Sequence, residues 1–179
     1  GADFETLYPE VFLSSGITKC KLQMLRTVPQ PDNWRIGPAL SAGLTLTHYG
    51  AFDNCSSLSA LKKRVETEMP EYVQWGIHVM ISQNGLSEIT IGDSHEYGLV
   101  HDPFDRQSIN QLILDYLQKF TIIKDCSIGQ TWNGIYPKLK GKTEFVTSPT
   151  SGVHVINGLS GAGMTLSFGL AEEVVGNVL

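Results

Sequence analysis

The chain has 179 residues, 41% hydrophobic and 17% charged, so it can bury a core and lacks the composition of a disordered chain. Thirteen Lys and Arg stand against 18 Asp and Glu, a formal charge of −5, which leaves no basic surplus for phosphates and argues against general nucleic-acid binding. No apolar run reaches the roughly 18 residues of a membrane span and no signal peptide opens the sequence, so no membrane partner and a cytoplasmic setting are expected.

Residues 1–16 read as helical or irregular, with Pro9 among them. From 19 to 28 the apolar residues Cys20, Leu22, Met24 and Val28 alternate, which is a strand signal. The prolines of "VPQPDNW" (28–34) mark a loop. Leu40, Ala42, Leu44 and Leu46 alternate with small polar residues and predict a second, half-buried strand over 40–47. Leu58, Leu61, Val65 and Met69 then keep helical spacing, and Pro70 restarts a short helical piece through Trp75. Strands over 76–83 and 87–93 flank Asn84-Gly85, a hairpin signal because both residues tolerate positive φ.

The clearest helix is predicted over 105–120, with Ile109, Leu112, Ile113, Tyr116, Leu117 and Phe120 on one stripe and Asp105 as N-cap. Strands are expected at 127–136, 143–147 and 152–156, then a helix over 163–175. The order points to an α+β fold: an antiparallel or mixed sheet with helices on one face, closed by a strand, a glycine turn and a helix. Cys20, Cys55 and Cys126 are odd in number and widely spaced, which argues against a disulfide framework or a zinc site.

The glycine turn is the most chemical feature. Gly158, Gly161 and Gly163 in "NGLSGAGMTLSFGLAEEVV" let a flat or anionic ligand approach the backbone, and the helix opening at 163 turns free N–H groups toward it. On the glycines alone, a tight strand-to-helix turn with no ligand is an equal reading. The ending as a whole resembles the C-terminal segment of FAD-dependent amine oxidoreductases of the D-amino-acid oxidase and glycine oxidase superfamily. "CKLQMLRT" (20–27) resembles the first strand of that family's substrate domain, "HVMISQNGLSEITIGDSHEYG" (78–98) its hairpin, and "TWNGIYP" (131–137) the stretch carrying its carboxylate anchor. The sequence is also similar to a bacterial branch associated with phosphonate-breakdown genes.

The resemblance implies a substrate domain over 19–149, preceded by a tail of an FAD-binding domain (1–18) and followed by that domain's strand, glycine loop and helix (150–179). It implies FAD as cofactor, with Gly158, Gly161, Gly163, Met164 and Thr165 facing the flavin. The family's G-x-G-x-x-G does not precede residue 19, so the chain reads as the C-terminal half of a longer enzyme, expected neither to hold FAD nor to turn over alone. Tyr136 stands where glycine-oxidase-like members carry a carboxylate-clamping arginine, which puts ordinary α-amino-acid recognition in doubt. Lys138 could supply the charge, and Trp132 and Met80 are candidate pocket walls.

Ile77, Val79 and Ile81 share one strand face, which puts His78 and Met80 on the other. By the resemblance, His78 and His95 match substrate-cavity positions and are the candidate catalytic residues, holding an oxyanion or accepting a proton from an ammonium substrate. The equal alternative makes both ordinary polar residues of a solvated sheet face. His48 reads as a satisfied buried histidine, Tyr49 and Arg26 as weaker cavity candidates, and His101 and His154 as loop and surface residues. No spacing among the five histidines resembles a metal site, so no metal is expected. The implied parent oxidises a C–N bond of a small anionic amine, an aminoalkylphosphonate among the candidates, to an imine. A non-catalytic domain binding a small anion or a protein is the alternative, and a homodimer is a further expectation.

Overall fold

In the computed structural model, which describes residues 1–177, the elements in chain order are α1 (Pro9–Ser15), β1 (Thr18–Thr27), β2 (Leu40–Ser41), α2 (Thr45–His48), α3 (Leu58–Glu68), α4 (Pro70–Gln74), β3 (Met80–Gln83), β4 (Ile89–Gly92), β5 (Glu96–Gly98), α5 (Gln107–Leu117), β6 (Ile128–Lys138), β7 (Phe145–Thr150), β8 (Val153–Asn157) and α6 (Gly163–Gly176). The chain divides into two units. One comprises residues 1–20, 97–100 and 135 onward; the other comprises 21–96 and 101–134.

The second unit is an antiparallel sheet with helices packed on it, the α+β class expected. β3 lies between β2 and β4, and β4 pairs with β1 in the register Met24↔Gly92 and Leu25↔Ile91. Ile109, Ile113 and Leu117 of α5 bury their stripe against Leu25, Val79, Ile81, Ile89 and Ile91. Each such side chain removed from water contributes about 2 kcal/mol, enough to seat an eleven-residue helix that would be marginal alone.

Several elements depart from the sequence pattern, each for a local reason. The predicted strand over 40–47 stops after Ser41, because the backbone turns at Ala42-Gly43: Thr45 N–H donates to Ala42 O and Leu46 N–H to Gly43 O, which winds α2. Asp105 is not the N-cap of α5. Arg106 occupies that position, while the Asp105 carboxylate lies 3.4 Å from Lys21 Nζ and accepts a hydrogen bond from Asn133. In the hairpin after β3 the left-handed residue is Ser87 (φ 65), not Asn84 or Gly85; the Asn84 side chain accepts from Leu86 N–H and Glu88 N–H instead. In β1 the deeply buried side is Lys21, Gln23, Leu25 and Thr27, whereas the apolar alternation Leu22–Met24 is only half-buried.

The first unit has its own small core. Phe4 and Phe12 stack with centroids 4.9 Å apart and pack with Ile17 and Leu139. β7 and β8 form a hairpin, and Pro149 falls where their register shifts, the place a strand tolerates a residue without an N–H. Lys138 bridges to Leu159, and a 3-10 turn over Ser160–Ala162 leads into α6.

Candidate functional site

Three imidazoles meet in the second unit. His48 is the last residue of α2. His78 lies on the extended run before β3, tied to the loop after β4 by His78 N–H to Asp93 O (3.3 Å) and Asp93 N–H to His78 O (3.1 Å). His95 follows in that same loop, its N–H bonded to Trp75 O. The ring centroids are 4.1 Å apart for His48–His78, 4.2 Å for His48–His95 and 4.9 Å for His78–His95, the last pair stacked at 21°. One ring nitrogen from each residue lies within 4.8 Å of the others. Tyr49 closes one side, edge-on to His48 and His78.

Local backbone geometry positions the cluster. His95 Nδ1 lies 3.0 Å from Gly76 O; a carbonyl only accepts, so Nδ1 carries a proton. Gly76 has φ +53, and a Cβ there would come within 2.9 Å of His95 Cβ, so glycine is what lets the two segments touch. At Gly92, just before Asp93, the absent Cβ leaves room that the Met24 thioether fills.

His78 is 1% exposed and His95 5%. Burial, and after it the neighbouring His48 and His95, push the His78 imidazolium down to about 3, so the ring is neutral at physiological pH. Burial alone pushes Asp93 up to about 7. Its Oδ1 lies 3.4 Å from His78 Nε2, and neither His78 ring nitrogen has a hydrogen-bond partner among the described residues. Burial, then Asp93, raise the Tyr49 phenol.

The other sequence-predicted residues are distributed between the units. Met80 pairs with Gly92 across β3–β4 and is half-buried. Trp132 on β6 is covered by the Arg26 guanidinium, 5.2 Å from its ring centroid, and Arg26 also approaches Glu88 at 3.7 Å. Tyr136 and Lys138 belong to the first unit; β6 runs unbroken through Pro137, so the two share one face of the strand. His101 is half-buried and His154 exposed, the latter 2.8 Å from Ser148 Oγ.

The glycine turn lies in the first unit. Gly158 has φ +77, and a Cβ there would press on Phe145 at 3.3 Å. Gly161 has open space on its Cβ side. α6 starts at Gly163 behind Ala162 with no side-chain cap; the Gly163 N–H donates to Ser160 O of the 3-10 turn, and the Met164 and Thr165 N–H groups have no acceptor within α6. The helix is apolar yet buries none of its described residues; Met164 is 91% and Phe168 83% exposed.

The family model described as FAD dependent oxidoreductase matches residues 20–176, which includes the cluster, β6, the glycine turn and α6. The chain belongs to the FAD-dependent oxidoreductase family. Among curated proteins, none matches it. The glycine turn fits the polar edge of a flavin: a helix start without a side-chain cap, no Cβ at Gly161 or Gly163, and an exposed apolar start at Met164. No G-x-G-x-x-G occurs in the sequence. No helix among the described residues is long and apolar enough to cross a membrane.

His48 is the member of the cluster that sequence reasoning placed elsewhere. The signal available was Gly43: a glycine inside an alternating run breaks strands, and a turn there carries His48 toward the β3–β4 ends.

Proposed function

We propose that this chain is the substrate-binding half of an FAD-dependent oxidoreductase that converts a C–N bond of a small anionic amine to an imine, with an aminoalkylphosphonate as the substrate class. The observation that carries the reading is the glycine turn at 158–163 with its uncapped α6 start, inside the stretch that matches the family. Bound flavin would supply the two-electron acceptor for the C–H bond beside the amine. The Met164 and Thr165 N–H groups of α6 would face the flavin's pyrimidine edge, where the helix's partial positive charge favours electron gain. The exposed apolar side of α6, with Met164 and Phe168, is assigned to contact with the flavin-bearing part of the enzyme.

Tyr136 and Lys138 favour phosphonate over carboxylate. A planar carboxylate is best held by a bidentate guanidinium, which is absent at position 136. A tetrahedral phosphonate carries more oxygens and more charge, and a phenol with an ammonium two residues on suits separate oxygens.

The test is anaerobic reduction of the FAD-loaded full-length enzyme. A short aminoalkylphosphonate should bleach the flavin's visible band faster than the amino acid of equal length, and Tyr136→Arg should reverse that order. Loss of the band with neither substrate would sink the amine reading; bleaching with the amino acid alone would sink the phosphonate assignment.

A further inference from the structure

The geometry points to a divalent transition-metal site of the Zn²⁺ type, held by His48, His78 and His95 in the second unit. It concerns residues of this unit alone and does not rest on the oxidoreductase reading.

Three imidazoles, two of them buried and one half-buried, bring together the nitrogen donor set that Zn²⁺ and its neighbours prefer. Their ligand atoms lie within 4.8 Å of one another. A tetrahedral ion with Zn–N bonds of about 2.0–2.1 Å wants nitrogens roughly 3.4 Å apart, so side-chain shifts on the order of 1 Å complete the shell. One ring has the outer hydrogen-bond partner that orients a histidine ligand, and a second has an acidic side chain beside it. Gly76 O holds a proton on His95 Nδ1 and so leaves Nε2 as the ligand atom of the proposed site. The Asp93 carboxylate sits 3.4 Å from the His78 ring.

Hydrogen bonding among the described residues does not account for His78. Both of its nitrogens are buried without a hydrogen-bond partner, an arrangement native interiors avoid unless a water or an ion completes it. A metal on one nitrogen supplies that partner. A cavity of about 180 Å³ bordered by Leu44, Thr47, His48, Tyr72 and Gly76 reaches His48 and gives an ion its way in. Three protein ligands leave a fourth position open, the arrangement of sites that bind a water or an anionic group rather than purely structural ones.

The chain, stripped with EDTA and titrated with Co²⁺, should take up one equivalent and develop visible d–d bands that Zn²⁺ then abolishes. His48→Ala, at the half-exposed end of α2, and His95→Gln should each weaken uptake by more than the roughly 10–100-fold that outer partners carry. Asp93→Asn should fall within that range, and His154→Ala should leave uptake unchanged. Circular dichroism verifies the fold of each variant; should His95→Gln unfold, His48→Ala decides. A folded protein with no Co²⁺ bands at one equivalent overturns the site. So do bands that survive both triad substitutions, or bands that vanish in His154→Ala.

Discussion

His78 and Asp93 face each other at 3.4 Å, a base and an acid whose charged forms are both disfavoured by burial. Raised from 3.8 to about 7, Asp93 adds stability that is complete below pH 3.8 and lost as pH rises through 7. Lowered from 6.5 to about 3, His78 adds stability that is complete above pH 6.5 and lost as pH falls toward 3. Between about pH 4 and 6.5 the two slopes oppose each other and cancel.

In metal-free protein, Asp93→Asn should expose the His78 slope. Stability of the variant, relative to wild type, should fall with acid below pH 6.5 by up to about 1.4 kcal/mol per pH unit. His48 and His95 face the same ring and remain unchanged in this comparison. Thermal midpoints of both proteins measured across this range give the answer; parallel curves would contradict the assignment.

Gln23 is completely buried and makes three polar contacts: Nε2 donates to Arg106 O and Asn110 Oδ1, and Oε1 accepts from Arg106 N–H. Gln23→Leu should cost about 1–3 kcal/mol for each group left without a partner. Gln23→Leu combined with Asn110→Leu should recover part of that loss. Denaturant midpoints of the two singles and the double form the cycle, and strict additivity would show that the side chains are not coupled.

Gly76→Ala should damage the imidazole cluster before it damages the fold. Its positive φ makes alanine strained by about 1–3 kcal/mol, and the new methyl meets His95 Cβ. Co²⁺ uptake and the denaturant midpoint should both drop; unchanged uptake would mean that His95 is not held by this contact.

Phe168→Ser should shift the stability of the chain by less than about 0.5 kcal/mol, since the ring is almost wholly exposed. The same substitution in the FAD-loaded full-length enzyme should speed flavin loss, read as free flavin fluorescence. A large stability loss in the chain alone would show that Phe168 is covered.

Much of this fold is legible in the sequence, because α5 and the β3–β4 pair follow simple hydrophobic periods. The stripe Ile109, Ile113 and Leu117 is buried as its spacing requires. β1 shows where the pattern misleads: burial follows hydrogen bonding as well as oiliness, and Lys21, Gln23 and Thr27 go inside because partners await them there. The imidazole cluster was half legible. His78 and His95 sit beside a recognisable hairpin, but His48 reaches them only because the chain turns at Ala42-Gly43, which an alternating pattern conceals. Metal-ligand spacing was silent for the same reason, since the ligands come from separate segments.

The polar inner side of β1 has a consequence for how the strand finds its place. Lys21 reaches Asp102 O and Phe104 O, Gln23 reaches Arg106, and beyond the strand's end Gln30 exchanges two bonds with Asp125. A slip by one residue would turn Leu22 and Met24 inward, which an oily interior alone would welcome. It would also part the buried Lys21 and Gln23 side chains from their main-chain partners over 102–106. These side chains work as teeth of a key: greasy contacts pull the strand in, and amide and ammonium groups decide which residue stops where.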